Sequence, residues 1–192
     1  MSVPALGVAV VGLGVGEQHA LAFEADPRTE LRWLIDINES VAKAVQGRIG
    51  SGDTATALDT ALDDPAVDIV SIATFDHMHA DAVVKCLNVG KHVFVEKPLA
   101  RTAAELDAII EAWNAAGRPH IVSNLVLRDA ELYRWLAYEV QSGNMGRIYA
   151  IDGDYLYGRL EKITEGWRKD VPGYSAMEGG GIHLIDLMLV LA

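Results

Sequence analysis

A chain of 192 residues with 51% apolar composition can bury a full hydrophobic core, long enough for one large domain or roughly one and a half, and is neither disordered nor fibrous. Its formal net charge of −11 argues against nucleic acid or an anionic membrane as partner, because either would be repelled. Cys86 is the one cysteine, set in an apolar helical pattern with Val83, Val84 and Leu87, so a disulfide framework or thiolate metal cluster within the chain is excluded and a buried, inert thiol is expected.

Residues 1–16 are apolar but lack a leading basic residue and are interrupted by glycines, which fails as a signal peptide. No apolar run approaches the roughly 20 residues that span a bilayer, and the chain reads as soluble and cytoplasmic. Short β-branched runs then alternate with helical patterns, the signature of βαβ units and a parallel sheet. Val8 to Val11 reads as a buried strand, Gly12 to Gly16 as a turn, and Glu17 to Glu24 as a helix ending near Asp26-Pro27. A second strand, Leu31 to Ile35, stops at Asp36, and Asn38 is placed to cap a helix that Gly50, Ser51 and Gly52 break. Ala57 to Leu62 reads as a short helix and Val67 to Ala73 as a strand, followed by a loop over Thr74 to Asp76. Ala80 to Asn88 is expected to be a helix closed by Gly90, and His92 to Val95 the next strand. Thr102 caps a helix with Leu106, Ile109, Ile110 and Trp113 at helical spacing, and Ile121 to Ser123 ends the unit.

The pattern then changes, which sets a boundary between domains 1–123 and 124–192. Asp129 is expected to cap a helix through Leu132, Trp135 and Val140, with Trp113 and Trp135 in helix cores. Ile148 to Tyr157 has the partial alternation of a strand, and Leu160 to Gly181 reads as a long loop. The fold class that follows is α/β: a Rossmann-type doubly wound parallel sheet, then the beginning of an α+β unit.

Three sequence features carry chemistry. Gly12-Leu13-Gly14-Val15-Gly16 lies between a buried strand and a helix start, where backbone N–H groups and the helix dipole can hold a pyrophosphate. The first glycine makes the tight turn and the second lets phosphates approach the backbone; the third comes one position early, since the usual spacing puts it where Glu17 stands. Asp36 ends the second strand at close to the spacing of about 20 residues expected of a carboxylate that binds the adenosine ribose. Such a carboxylate repels a 2′-phosphate, and Ile37 and Asn38 offer no neutralising cation, so NAD is favoured over NADP. Glu96-Lys97-Pro98 follows the strand His92 to Val95 and delivers a lysine to the carboxyl edge of the sheet, where open α/β folds bind ligands. Pro98 moves Lys97 away from helical dihedrals and can support a cis bond. Alone, such a tripeptide is common loop chemistry; its context gives it meaning.

In order and context, these motifs resemble the Gfo/Idh/MocA oxidoreductases, which include glucose-fructose oxidoreductase and inositol 2-dehydrogenases. The resemblance covers nearly the whole chain. It rests on Gly12-Leu13-Gly14 with His19, Asp36, Thr74 through His79, Gly90-Lys91-His92-Val93, Glu96-Lys97-Pro98-Leu99-Ala100, Trp167-Arg168, and Gly179-Gly180-Gly181-Ile182-His183-Leu184-Ile185-Asp186. It implies an N-terminal Rossmann domain and a C-terminal domain whose sheet covers the nicotinamide and supports a homo-oligomer. Substrates would be sugars, inositols or related polyols. Lys97 would bond the reacting hydroxyl and assist proton transfer, and His183 would act on substrate as acid, base or orienting group. Gly12, Gly14, Val15, Gly16, Asp36, Thr74, His79 and Glu96 would hold the cofactor, and Trp167 and Arg168 would join Lys97 and His183 at the substrate. Hydride removal from an alcohol carbon needs a base for the hydroxyl proton, which suits a lysine beside a cationic nicotinamide and a histidine.

The chain departs from the family at several points. Phe75 replaces a usual proline, and Gly179 stands where many relatives carry an aspartate four residues before the histidine, a form shared with some relatives. Asp186 fits a brace or cap for the last helix. His77 and His79 have metal-like spacing without a third ligand, and no metal is assigned. His19 fits packing, capping or cofactor contact, and Trp167 fits either a sugar site or packing. The last ten residues form an apolar helix in which the chain stops, as expected of a truncated member, and Leu187, Met188, Leu189 and Leu191 would then be an exposed apolar surface. Two other functions stay open: a glycosidase or lyase-type member that uses transient oxidation by bound NAD, and a catalytically silent nucleotide-binding protein.

Overall fold

The computed structural model describes residues 4–158 and 160–192. The chain divides into two compact units, Met1–Asn124 and Leu125–Ala192.

In the first unit, strands β1 (Leu6–Val11), β2 (Thr29–Ile35), β3 (Asp53–Ala55), β4 (Ile69–Ile72), β5 (His92–Val95) and β6 (Ile121–Ser123) form one sheet in the order β3-β2-β1-β4-β5-β6. Every pairing is parallel. The connecting helices are α1 (Gly16–Ala25), α2 (Glu39–Ile49), the short α3 (Asp59–Asp63), α4 (His79–Asn88) and α5 (Ala103–Ala115). Two-residue alternation in β1 explains why helices cover both faces. Val8 and Val10 pack with Leu31, Leu34, Ala42 and Val45, while Ala9 and Val11 join Ile35, Val70, Ile72, Val83, Leu87, Val95 and Ile109. Each valine, leucine or isoleucine among them, fully buried, contributes about 1.5–3 kcal/mol. Cys86 lies within the second cluster, and burial pushes its thiol up to about 12, so it is inert at neutral pH.

The helix ends follow the local chemistry. Asn38 Oδ1 accepts from the Ser40 N–H at 3.1 Å and Gly50 closes α2 at φ 86°, a left-handed position that only glycine adopts without cost. Thr102 and Glu105 complete a reciprocal capping box at the start of α5. β3 was not anticipated: Asp53-Thr54-Ala55 is a three-residue edge strand without a hydrophobic run, held by its register with Trp33, Leu34 and Ile35.

The second unit contains α6 (Glu131–Gln141), α7 (Glu161–Thr164), a 3₁₀ turn over Trp167–Asp170, a π-helix over Met177–Gly181 and α8 (Ile182–Leu191). Four expectations are corrected here. Asp129 does not cap α6: Ala130 is the N-cap and no side chain bonds the helix start. Trp135 is 53% exposed and is not a core residue. Ile148 to Tyr157 is irregular, because a strand requires a hydrogen-bonded neighbour and none pairs with it among the described residues. The segment 160–181 is broken into short helical turns, not one loop. Within α8, Leu187 and Leu191 are buried while Leu189 is exposed, so the apolar surface is smaller than its sequence suggests. Asp186 braces the unit, accepting from Arg128 Nε at 2.8 Å and Nη2 at 2.5 Å. Among the described residues, no helix is long and apolar enough to cross a membrane.

Candidate functional site

The carboxyl ends of β1, β2, β4, β5 and β6 bring Gly12, Asp36, Thr74, Glu96-Lys97 and Asn124 to one edge of the first unit. β1 and β4 are neighbours although three crossovers separate them in the chain, which makes their edge the topological switch point of the sheet.

Each glycine of the loop meets a different demand. Gly12 has φ 84°, and a Cβ there would fall 2.6 Å from the Ala73 carbonyl oxygen and 2.8 Å from the Thr74 nitrogen, so β1 and β4 leave no room for a side chain. Gly14 is the opposite case: nothing lies within 4 Å of its would-be Cβ, and the loop backbone is open for a ligand to approach. At Gly16 a Cβ would sit 3.2 Å from both Ala73 Cβ and Val10 Cγ1, so this glycine seats α1 against the sheet. The early third glycine therefore does the packing work expected one position later. Val15 is exposed and gives α1 no side-chain cap, leaving the first helical N–H groups for solvent or an anion.

Asp36 ties this loop to the end of β2. Its Oδ2 accepts from the Leu13 N–H and its Oδ1 from the Asn38 N–H, both at 2.9 Å. A carboxylate offers about four acceptor positions, so two remain for a ribose diol. Thr74 Oγ1 is buried with no hydrogen-bond partner among the described residues. An open glycine backbone, a half-used carboxylate and an unpartnered hydroxyl along one edge fit a dinucleotide.

The His79 ring is fully buried, with Nδ1 at 2.8 Å from the Pro98 carbonyl oxygen and Nε2 at 3.1 Å from that of Thr74, so both ring nitrogens face backbone carbonyls. The Glu96 carboxylate is turned inward. Oε1 accepts from Asn124 Nδ2 at 2.6 Å and His19 Nε2 at 3.1 Å, and Oε2 from the Lys97 N–H at 3.3 Å. Burial pushes the Glu96 carboxyl up, but the bonds from His19 and Asn124 outweigh it and leave it below the ordinary glutamate value. His19 is buried and bonded to Ser71 Oγ through Nδ1 at 3.0 Å, which settles it as an internal residue. Lys97 follows, half-buried, joined to Pro98 by a cis peptide bond.

The second unit builds its own cluster. The Arg168 guanidinium carbon lies 4.4 Å from the Trp167 ring centre and 5.7 Å from that of Tyr174, a cation held between two aromatic faces. His183, in the first turn of α8, is buried beside Tyr155 at 6.5 Å between ring centres, nearly parallel. Two tyrosines crowd the glycine run before it. A Cβ at Gly179 would fall 1.7 Å from the Tyr174 hydroxyl, and one at Gly180 would fall 2.4 Å from Tyr155 Cε1. An aspartate at 179 has no space while Tyr174 stays where it is.

Sequence reading missed Ser71, Asn124, Tyr155 and Tyr174. Asn124 was findable, because it directly follows β6, and each inner strand of this sheet, β1, β2, β4 and β5, is likewise followed by a candidate site residue. The tyrosines carry no local signal; they reach the glycines only through tertiary packing.

Residues 6–123 match the sequence profile of the Gfo/Idh/MocA group, described as an oxidoreductase family with an NAD-binding Rossmann fold. A levoglucosan dehydrogenase from Pseudarthrobacter phenanthrenivorans is 30% identical over 195 residues, covering 95% of this chain and 50% of that protein. An inositol 2-dehydrogenase from Acidothermus cellulolyticus is 32% identical over 141 residues, 72% of this chain and 41% of its own length. The structure of GenD2 from gentamicin A biosynthesis, in complex with NAD, superposes with a TM-score of 0.81 at 26% identity, covering 100% of this chain and 54% of that one. The chain thus spans about half the length of these relatives. By the profile over its Rossmann sheet and by these relatives, the chain belongs to the Gfo/Idh/MocA oxidoreductase family.

Proposed function

We propose that this chain is the NAD-binding and partial substrate-binding portion of an oxidoreductase that moves a hydride between a nicotinamide and a hydroxyl-bearing carbon of a sugar, inositol or related polyol. The observation that carries the reading is the shared sheet edge at which the open Gly14 backbone, Asp36 and Thr74 follow β1, β2 and β4, with Lys97 following β5 beside β4. In this reading residues 1–123 form the NAD-binding domain and residues 124–192 open the substrate domain. When bound, NAD supplies the hydride acceptor. Gly12, Gly14, Val15 and Gly16 hold its pyrophosphate by backbone, Asp36 its ribose, and Thr74 lines its path. Lys97 takes the hydroxyl proton, His183 orients or assists, and Trp167 and Arg168 meet the polyol. NAD binding by relatives such as GenD2, and the sugar and inositol named for two others, support this assignment. The oligomer would form through the C-terminal domain and the protein would work in the cytoplasm.

The test has two stages. NADH fluorescence titration is expected to saturate below millimolar concentration, and NAD with a panel of sugars and inositols is expected to yield NADH. No binding at millimolar NADH overturns the cofactor assignment. Product formed without net NADH overturns the oxidoreductase assignment in favour of a lyase-type use of the same site.

A further inference from the structure

Lys97 is bracketed by two buried histidines, one bonded to the residue before it and one to the residue after it. His19, from α1, holds the Glu96 carboxylate through Nε2 at 3.1 Å and meets Ser71 Oγ of β4 through Nδ1 at 3.0 Å. His79, from α4, holds the Pro98 carbonyl through Nδ1 at 2.8 Å and meets the Thr74 carbonyl through Nε2 at 3.1 Å. The rings are 9% and 0% exposed, so solvent does not compete for these bonds. Asn124 secures Glu96 from the β6 side at 2.6 Å.

Resting on the proposed function, we propose that His19 and His79 are positioning residues that fix the strand end carrying Lys97, each through a defined ring proton. The His19 proton follows from what its partners can do. A carboxylate and a carbonyl accept only, so His19 carries its proton on Nε2, toward Glu96, with Ser71 donating to Nδ1. Both His79 partners are carbonyls, which accept only, so partner chemistry does not choose between its nitrogens; we assign its proton to the shorter contact, Nδ1 toward Pro98. On this assignment the two histidines donate through different ring nitrogens. His79, matched by sequence to a cofactor-lining segment, acts instead through the backbone on either side of the site, joining the loop after β4 to the one after β5.

The experiment combines a spectroscopic and a kinetic readout on the chain as it stands. ¹⁵N-histidine NMR is expected to show a proton on Nδ1 of His79 and on Nε2 of His19; absence of either proton overturns the inference. H19A and H79A are expected to lower kcat about 10²-fold, as for a reacting group displaced by about 1 Å, with KM and the NADH dissociation constant within about threefold of wild type. H79Q, which keeps one N–H donor, is expected to recover part of the loss. Unchanged kcat in folded variants overturns the proposal, and where an alanine variant does not fold, S71A and H79Q decide it by the same readouts. If the wild type turns over no polyol, the proposed function fails separately, and ¹³Cε relaxation of Lys97 decides the inference. Greater Lys97 mobility in H79Q supports it and unchanged mobility overturns it.

Discussion

Substituting alanine at Gly12 and at Gly14 separates packing from ligand approach within one loop. At Gly12 the new methyl meets the Ala73 carbonyl at 2.6 Å and the Thr74 nitrogen at 2.8 Å, both backbone atoms that cannot step aside, and φ is 84°. The left-handed backbone costs an alanine about 1–2 kcal/mol and overpacking adds about 1–3 kcal/mol, so G12A is expected to lose roughly 2–5 kcal/mol. That is a large part of the 5–15 kcal/mol typical of a domain. With a urea slope of about 2 kcal/mol per molar, the unfolding midpoint should fall by about 1–2.5 M. Gly14 has nothing within 4 Å, so G14A should stay within about 0.5 kcal/mol of wild type while weakening NADH binding, because its methyl occupies the open face of the loop. The assays are urea denaturation followed by circular dichroism and NADH fluorescence titration. A G12A midpoint equal to wild type, or a G14A variant that binds NADH as wild type does, would refute the reasoning.

Three further outcomes are expected. G179A should lower the melting temperature of the chain through the contact with the Tyr174 hydroxyl, by a cost of about 1–3 kcal/mol, and Y174A should relieve it; additive losses in the double variant would contradict the steric account. Because the folded Glu96 carboxyl lies below its unfolded value near 4.5, its contribution to stability is present above that pH and is lost as pH falls through the folded value. N124A removes one of the donors that depress it, so its acid unfolding midpoint should move to higher pH, and a midpoint unchanged from wild type would contradict the assigned bond. D36A should weaken NADH binding and narrow the preference for NADH over NADPH, measured by parallel titrations, since it removes both the ribose acceptor and the tie to Leu13.

The first unit was legible because its signals are local. Alternation in β1, the caps at Asn38 and Thr102 and the glycine loop each act within a few residues, and parallel topology follows from their order. β3 escaped because three residues of an edge strand carry no hydrophobic run. In the second unit partners decide structure: Ile148 to Tyr157 alternates as a strand does but finds no ladder among the described residues, and Ala130 takes the cap position that the sequence assigns to Asp129. At the site, Lys97, Asp36 and the glycines stand at the strand ends that the sequence pattern predicts, whereas the inward bonding of His79 and Glu96 has no local signal. Their burial depends on α4 and α1 packing over the sheet edge, which no spacing rule encodes.

The central claim is that Lys97 performs proton transfer at an NAD-dependent hydride-transfer site. Its most direct test is turnover of a responsive sugar or inositol by wild type and K97A, with NADH affinity measured alongside. A loss of about 10²–10⁴-fold in kcat with NADH affinity retained is expected, the range for removal of a general base. Turnover by K97A equal to wild type would contradict it.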